Sequence, residues 1–218
     1  MMAGVEIIKT EIGLMGIKKL IEQHHEPAED FIFKGNEKEK FRSLKNIQRK
    51  KEFLAVRSVL QEMTGEKSEI RYNKEGKPRI AGNSQEISIS HSADLAVVLL
   101  SRQKAGVDVE NVSRNIRNVI TRFLSEDEWR MVKNSPDPHL SALICWCAKE
   151  AAYKHSGSTG MDFKSQIIIH PFEPVPEGGK FSGEMLHGQK VIAFHFNYLF
   201  FENNVIVNCV EKSKNQID

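Results

Sequence analysis

Gly106-Val-Asp-Val-Glu110 is the stretch on which the interpretation of this sequence depends. In an extended strand, alternate side chains point to the same face, so Asp108 and Glu110 project together while Val107 and Val109 face the core. The pattern therefore predicts a short strand that carries two carboxylates on one face. Taken alone, such a face is more often a solvated acidic surface than a functional site.

A second stretch, Trp146-Cys-Ala-Lys-Glu-Ala-Ala-Tyr-Lys154, has the composition of a helix. Trp146, Glu150 and Lys154 are spaced by four residues and share one helical face, and Lys149 is displaced from it by about 100°. The ordinary interpretation is a surface Glu–Lys pair beside a core tryptophan. If the two stretches meet, three carboxylates can hold a hard cation while the lysines face an anion, as in metal-assisted phosphate chemistry.

Three weaker candidates lie earlier in the chain. Ser90-His91-Ser92 ends an expected strand, where neighbouring side chains point to opposite faces, which argues against a nucleophile with its base. A phosphate contact and a turn cap or core histidine remain open. Gly76-Lys77-Pro78 is either a plain turn or a turn that presents a lysine to an anion. The basic segment of residues 45–57 either grips a phosphate or is a solvated helix face.

Composition excludes several classes of protein. The 218 residues allow one domain or two small ones, and the formal net charge of +2 gives no sign of nucleic-acid or membrane binding. The 3 cysteines form no C-x-x-C pair, and their odd number argues against a disulfide framework. The first ten residues lack a signal-peptide pattern, and no apolar run approaches the roughly 20 residues of a membrane helix. We therefore expect a cytoplasmic protein.

The periodicity of the chain favours the α+β class, because helices and antiparallel strands mix without a regular βαβ rhythm. A short helix is expected to include Ile17, Leu20 and Ile21. One long basic amphipathic helix is expected over residues 39–63, ended by Gly65. Further helices are expected near residues 118–123, from Ser125 with a capping box to Glu128, and from Asp137-Pro138 through residues 140–155. Strands are expected over residues 5–9, 70–72, 87–90, 95–100, 106–109, 167–169, 191–198 and 205–210.

Taken in order, these segments resemble the 4'-phosphopantetheinyl transferases of the Sfp-like type. The resemblance spans roughly residues 49–160 and is carried above all by the last two motifs at their separation. It implies an enzyme that moves the 4'-phosphopantetheine arm of coenzyme A onto a serine of an apo acyl, peptidyl or aryl carrier protein. The other product is adenosine 3',5'-bisphosphate.

The same resemblance implies the architecture. It predicts two similar α+β halves about a pseudo-twofold axis, each with a small antiparallel sheet packed by helices, with coenzyme A at their junction. The halves are expected at residues 1–105 and 106–218, with the metal site in the second. A chain of this two-halved form resembles the monomeric branch of the family.

By this resemblance, Asp108, Glu110 and Glu150 hold Mg²⁺ against the coenzyme A pyrophosphate. Lys149 and Lys154 contact the phosphates, and Lys154 also stabilises or protonates the leaving bisphosphate. Glu150 is the base for the serine hydroxyl, either directly or through a metal-bound water.

The rest of coenzyme A is expected to contact the N-terminal half. The residues assigned to it are His91 near the 3'-phosphate, Ser90 beside it, Lys77 and Pro78 around the adenine, and Arg49, for which Lys50, Lys51 or Arg57 are alternatives. The carrier is expected to dock near residues 116–132 through Phe123 and Leu124, steered by Arg117, Arg122 and Lys133.

Two competing functions are open to the same residues. A metal-dependent nuclease uses a carboxylate followed by Glu-x-Lys, but here Lys149 precedes Glu150 in a helix and the charge is near neutral. A non-catalytic relative that binds coenzyme A or carrier would be expected to have lost a metal ligand or Lys154. All of these residues are present, which favours an enzyme.

Overall fold

The computed structural model describes residues 4–20 and 33–212. It divides the chain into an N-terminal unit, Met1–Arg102, and a C-terminal unit, Gln103–Asp218. Helices mix with sheets in which every strand pairing of the described residues is antiparallel. The α+β class is therefore confirmed. None of the helices in these residue ranges is both long and apolar enough to span a membrane.

The N-terminal unit packs one long helix on a four-stranded sheet. Its elements are β1 (Glu6–Thr10), β2 (Gly13–Lys19), α1 (Glu37–Ser43), α2 (Ile47–Thr64), β3 (Ile70–Tyr72), β4 (Pro78–Ile80), β5 (Glu86–His91) and β6 (Leu95–Ser101). The sheet has the order β1-β2-β6-β5, and β3 and β4 form a separate pair. Val56, Val59 and Leu60 of α2 form the core with Val98 and Leu100 of β6.

The helix expected around Ile17 and Leu20 is wrong, because residues 13–19 form strand β2. Thr10 closes the turn from β1 by exchanging hydrogen bonds with Gly13, and β2 then pairs with both β1 and β6. The apolar spacing that matched a helix reflects burial on the sheet instead. Ile21, which was part of that prediction, lies outside the described residues.

The prediction of a single helix over residues 39–63 is also wrong, because the helix is interrupted between α1 and α2. Asn46 has extended backbone dihedrals, and its side chain accepts a hydrogen bond from the backbone N–H of Arg49. Asparagine is a favoured N-cap, so it begins a new helix here. The predicted end at Gly65 is confirmed, with a left-handed φ of 74°.

The C-terminal unit packs its longest helix on a five-stranded sheet of order β7-β11-β10-β9-β8. Its elements are β7 (Ala105–Asn111), α3 (Ile120–Phe123), α4 (Glu126–Asn134), α5 (Pro138–Ser156), α6 (Phe163–Gln166), β8 (Ile167–Ile169), β9 (Gly179–His187), β10 (Lys190–Phe201) and β11 (Asn204–Glu211). The capping box of α4 and the Asp137–Pro138 start of α5 are confirmed. Strand β9 and helix α6 were not predicted.

Strand β7 and helix α5 approach each other closely. Ala148, Ala151 and Ala152 of α5 are fully buried and add little bulk to its sheet-facing side. At Gly106 there is no room for a Cβ atom, because it would overlap the backbone carbonyl of Ala151. Since side chains alternate along a strand, the face of β7 that carries Gly106 also carries Asp108 and Glu110. The fold thus directs both carboxylates at α5.

Candidate functional site

Asp108 and Lys154 join the two stretches singled out in the sequence. The Lys154 ammonium lies 2.7 Å from Oδ1 of Asp108 and 3.2 Å from the carbonyl oxygen of Val107. The Asp108 side chain is 7% exposed and that of Lys154 is 27% exposed. Asp108 is therefore not part of a solvated acidic surface, and the two stretches do meet.

Glu110 is held by two neighbours at the same oxygen. The indole Nε1–H of Trp146 donates to Oε1 of Glu110 over 2.9 Å, and the Arg114 guanidinium forms an ion pair with that oxygen. The Arg114 guanidinium also lies 5.4 Å from the centre of the Trp146 ring. Neither contact was predicted, although a basic residue four positions after Glu110 was a visible signal.

Glu150 completes the group of carboxylates and is partly buried. Burial raises the pKa of Glu150, and the negative charge of Asp108 raises it further, while Lys154 and Arg114 act in the opposite direction. A raised pKa brings a carboxyl group closer to the range in which it can accept and return a proton near neutral pH. The pKa of Glu150 is thus shifted in the direction that favours proton exchange.

Cys147 lies on the buried side of α5 beside Asp108. Burial raises the pKa of the Cys147 thiol well above its usual value, and the charge of Asp108 adds to the effect. The side chain therefore stays a neutral thiol that hydrogen-bonds with the Asp108 carboxylate. It supports Asp108 sterically and does not offer a thiolate.

The donor set fits a hard divalent cation. Within residues 4–20 and 33–212, no three acidic, histidine or cysteine side chains are arranged as a metal-binding group. Lys154 and Arg114 form ion pairs with two of the carboxylates. Three carboxylates nevertheless supply the oxygen ligands that Mg²⁺ prefers. The like charge of Asp108 that raises the pKa of Glu150 is a repulsion that such a cation would relieve.

Lys149 does not face the place where a phosphate was expected. Its side chain is fully buried, and its ammonium donates to Oε2 of Glu128 over 2.7 Å and to the carbonyl oxygens of Phe123 and Phe163 over 2.7 and 2.9 Å. An ammonium has three N–H donors, and these partners match them in number. Contact between Lys149 and a phosphate is inconsistent with this arrangement, so that expectation is corrected.

Arg49 and His91 in the N-terminal unit are brought together. Nη1 of Arg49 lies 3.0 Å from Nε2 of His91, and both side chains reach Oε2 of Glu52, at 3.0 and 3.3 Å. The Arg49 side chain is 61% exposed, so the pair is accessible. Ser90 precedes His91 on β5 and is buried on the opposite face.

Two other N-terminal candidates are already engaged. Lys77 forms an ion pair with Glu86 at 3.0 Å, and Pro78, which was expected to lie in a turn, begins strand β4. Arg57, an alternative to Arg49, is buried and forms an ion pair with Glu37 at 3.0 Å. Arg57 is therefore ruled out as an exposed phosphate ligand.

The carrier-docking residues Phe123 and Leu124 are buried rather than exposed. The Phe123 ring packs edge-on against Trp146 at 5.1 Å, which explains why it cannot present an apolar surface to a partner. Trp129, in the same segment, is 46% exposed. A docking surface in this segment would have to use Trp129 instead.

Comparison with known proteins finds similarity in the segment that carries this site. Residues 104–207 match the family model described as the 4'-phosphopantetheinyl transferase superfamily. Enterobactin synthase component D of Salmonella austin is 36% identical over 69 residues, which are 31% of this chain and 30% of that protein. The crystal structure of Thermotoga maritima holo-[acyl-carrier-protein] synthase gives a TM-score of 0.35 at 16% identity, over 51% of this chain and 64% of that chain.

Proposed function

Because residues 104–207 match the family model described as the 4'-phosphopantetheinyl transferase superfamily, we propose that this protein transfers 4'-phosphopantetheine from coenzyme A to a serine of an apo acyl or peptidyl carrier protein. The second product is adenosine 3',5'-bisphosphate. We further propose an Sfp-like, two-halved enzyme that works as a monomer in the cytoplasm. The observation that carries the proposal is the Asp108–Lys154 contact, because it brings the carboxylates of β7 to α5 within the matched segment.

Asp108, Glu110 and Glu150 are the residues that would hold Mg²⁺. When bound, the ion supplies positive charge against the pyrophosphate of coenzyme A. Trp146 orients Glu110 through its indole N–H, and the partial burial of the group strengthens its electrostatic interactions. Lys154 adds a positive charge beside Asp108, so the site combines carboxylates with a cation that can face an anionic substrate.

In the proposed transfer, Glu150 accepts the proton of the serine hydroxyl and Lys154 stabilises the charge on the leaving group. The serine hydroxyl oxygen bonds to the phosphorus that carries the pantetheine arm, and the bond from that phosphorus to the bridging oxygen breaks. The hydroxyl proton goes to Glu150, whose raised pKa suits a base near neutral pH. The Lys154 ammonium stabilises the negative charge that develops on the departing bisphosphate.

Arg49 and His91 are the proposed contacts for the 3'-phosphate of coenzyme A. Their adjacent side chains offer a guanidinium and an imidazole, and both are partly exposed. A phosphate would replace Glu52 as their anionic partner. Ser90, Lys77 and Pro78 stay proposed neighbours of the nucleotide, with Lys77 exchanging Glu86 for the ligand.

Mass spectrometry of a carrier protein tests this function directly. The protein is incubated with coenzyme A, Mg²⁺ and apo carriers from fatty-acid, polyketide and peptide synthesis, and each carrier is then weighed. The expected result is the mass of one phosphopantetheine on at least one carrier, with none when Mg²⁺ is chelated. Absence of the adduct from every carrier, with the protein folded, would exclude the transferase.

A further inference from the structure

Lys149 is a fully buried cation next to Glu150 in the chain that the proposed reaction does not use. Its ammonium donates to the Glu128 carboxylate and to the carbonyl oxygens of Phe123 and Phe163. A buried charge is costly unless it is paired and hydrogen-bonded. Because all three of its N–H donors are already used, its role is other than ligand binding.

The carboxylate that pairs with Lys149 is itself fixed on several sides. Glu128 accepts hydrogen bonds from the backbone N–H of Ser125 over 2.7 Å and from that of Ile169 over 2.7 Å. Its own backbone N–H donates to the Ser125 hydroxyl, completing the capping box. Lys149 is therefore anchored to a carboxylate that already ties α4 to β8.

The two carbonyl partners of Lys149 belong to residues that enclose one aromatic side chain. The Phe123 and Phe163 rings lie 5.1 and 5.9 Å from the Trp146 ring, one edge-on and one tilted. Phe163 also contacts Tyr153, at 5.4 Å. Lys149 therefore hydrogen-bonds to the backbone of both phenylalanines whose rings pack against the indole.

The indole in turn holds Glu110, to which it donates a 2.9 Å hydrogen bond. A continuous series of contacts therefore runs from the Lys149 ammonium through two backbone carbonyls and two rings to the indole and a carboxylate of the site. Residues that orient a ligating carboxylate by hydrogen bonding commonly set metal affinity, and their loss costs about 10-fold to 100-fold.

We infer that Lys149 is a positioning residue, which fixes Trp146 through Phe123 and Phe163 and thereby orients Glu110. The inference rests on the proposed function only in taking Glu110 as a metal ligand. Lys149 touches neither substrate nor metal in this role, which distinguishes it from the neighbouring Glu150.

The chain contains a matched control for this role. Arg57 and Glu37 form a buried ion pair in the N-terminal unit, with side chains 4% and 3% exposed, against 0% and 1% for Lys149 and Glu128. Like Glu128, Glu37 also accepts a strand N–H, from Ile70 over 3.1 Å. Removing either pair should disturb its own unit to a similar extent, but only the Lys149 pair leads to the indole.

The test follows Trp146 in a Trp129→Phe background, where it is the only tryptophan, because the chain contains two. The variants Lys149→Met/Glu128→Gln and Arg57→Met/Glu37→Gln each remove both charges of one pair. The indole N–H resonance and its hydrogen-exchange rate are measured without metal, coenzyme A or carrier. Mg²⁺ or Mn²⁺ is then added stepwise, and binding is followed by the fluorescence of Trp146.

In the Lys149 variant we expect a shifted indole resonance, exchange faster by about tenfold or more, and half-saturation by Mg²⁺ at a concentration about 10-fold to 100-fold higher. In the Arg57 variant all three values should stay as in the parent. An unchanged indole in the Lys149 variant, or an equal change in both variants, would overturn the inference. If the Lys149 double variant does not fold, Lys149→Arg replaces it, and the same two outcomes decide.

The measurement also separates this inference from the proposed function. The indole resonance and its exchange depend on no metal, donor or carrier, so a protein without transferase activity can still show the coupling. Conversely, if the indole resonance does not change on loss of Lys149, the inference fails but the proposed transfer reaction is not contradicted.

Discussion

The two units share one helix-on-sheet arrangement and differ in the charges they place on it. Helices α2 and α5 both end at a glycine with left-handed φ, Gly65 and Gly157. Eight residues before that glycine, each helix carries the buried cation, Arg57 or Lys149, that pairs with a glutamate of a preceding short helix. The glutamate in each case also accepts the backbone N–H of a strand residue. The scaffolding contacts are thus common to both units.

The strand beneath each helix repeats the correspondence. Gly16 of β2 lies against Val59 and Met63 of α2, where a side chain at position 16 would collide with them. Gly106 of β7 lies against α5 in the same way, at the residues that occupy the equivalent places before the terminal glycine, Ala151 and His155.

The charges at the matched positions are reversed. Two residues after the strand glycine stands Lys18 in one unit and Asp108 in the other. The Lys18 ammonium donates to the Ser58 hydroxyl over 2.8 Å. Burial lowers the pKa of Lys18, while the negative charge of Glu62 opposes the shift. Counted back from the terminal glycine of each helix, Glu150 of α5 occupies the position of Ser58 in α2, and Lys154 occupies the position of Glu62. The comparison teaches that a shared scaffold can carry different charges, because the C-terminal unit has two carboxylates at these matched positions, Asp108 and Glu150, and the N-terminal unit has one, Glu62.

The largest difference between the units should appear on removing a carboxylate. Glu150→Gln should lower the transfer rate by about 10²-fold to 10⁴-fold, because it removes the proposed base. The matched change Ser58→Ala in the N-terminal unit should alter the rate less than about twofold, as expected of a residue with no part in proton transfer. Both rates are measured from the mass of the carrier over time. Equal rates for the two variants would remove Glu150 from the reaction.

A change of the charged residue three positions before the terminal glycine of each helix comes next. Lys154→Met should lower the turnover rate by about 10²-fold to 10³-fold, since it removes the charge that stabilises the leaving bisphosphate. Glu62→Gln in α2 is the matched control and should leave turnover unchanged. Single-turnover kinetics with saturating coenzyme A measure this step. Full activity of the Lys154 variant would move the leaving-group role to another residue.

Loss of one partner of a buried ion pair should cost the two units a similar amount of stability. Arg57→Met and Lys149→Met each leave a buried carboxylate without its cation, so each should lower the free energy of unfolding by about 3–5 kcal/mol. Urea denaturation followed by circular dichroism measures both. A much smaller loss at either position would mean that water or another cation reaches the carboxylate.

The raised pKa of Glu150 predicts that the stability of the protein depends on pH. A carboxyl whose pKa is higher in the folded than in the unfolded state makes folding less favourable as pH rises from the unfolded pKa through the folded one. Between these two values the stability of the wild type should therefore fall relative to that of Glu150→Gln, and above them the difference should stay constant. Urea denaturation of both proteins at a series of pH values measures it. A difference that does not vary with pH would contradict the raised pKa.

The smallest effect is expected at Arg114, whose side chain is 42% exposed. Arg114→Gln removes a cation that competes with a metal for Glu110, but exposed ion pairs contribute only about 0–1 kcal/mol. Mg²⁺ should therefore bind up to about fivefold more tightly, as read from Trp146 fluorescence. Weaker binding would show that Arg114 helps to orient Glu110 rather than competing for it.

Local signals predicted the parts of the fold that depend on neighbouring residues. The alternation in β7, the capping box of α4 and the Asp137–Pro138 start of α5 are each decided within a few residues. The meeting of β7 and α5 was expected only from the family resemblance, since no local signal specifies a contact so distant in sequence.

Other features depended on distant partners and were missed. Strand β2 had helical spacing in sequence, and its identity came from pairing with β1 and β6. Lys149 was expected to contact a phosphate because the family resemblance implied it. Helix α5 is enclosed on several sides, so this lysine was buried against α4 and α6 instead. The periodicity of a helix cannot distinguish a solvated side from one covered by a later element.

The lack of a side chain at Gly106 determines how closely strand β7 approaches helix α5, and so how far apart the carboxylates on the two elements lie. Here the strand meets the backbone carbonyl of Ala151, whereas at Gly16 it meets only side-chain atoms. Side chains can rotate away from an intruding methyl group, but a helix backbone must move as a whole. The close contact at Gly106 thus sets the distance between the carboxylates of β7 and the charged residues of α5. At the proposed Mg²⁺ site, a larger ion would therefore require this spacing to change.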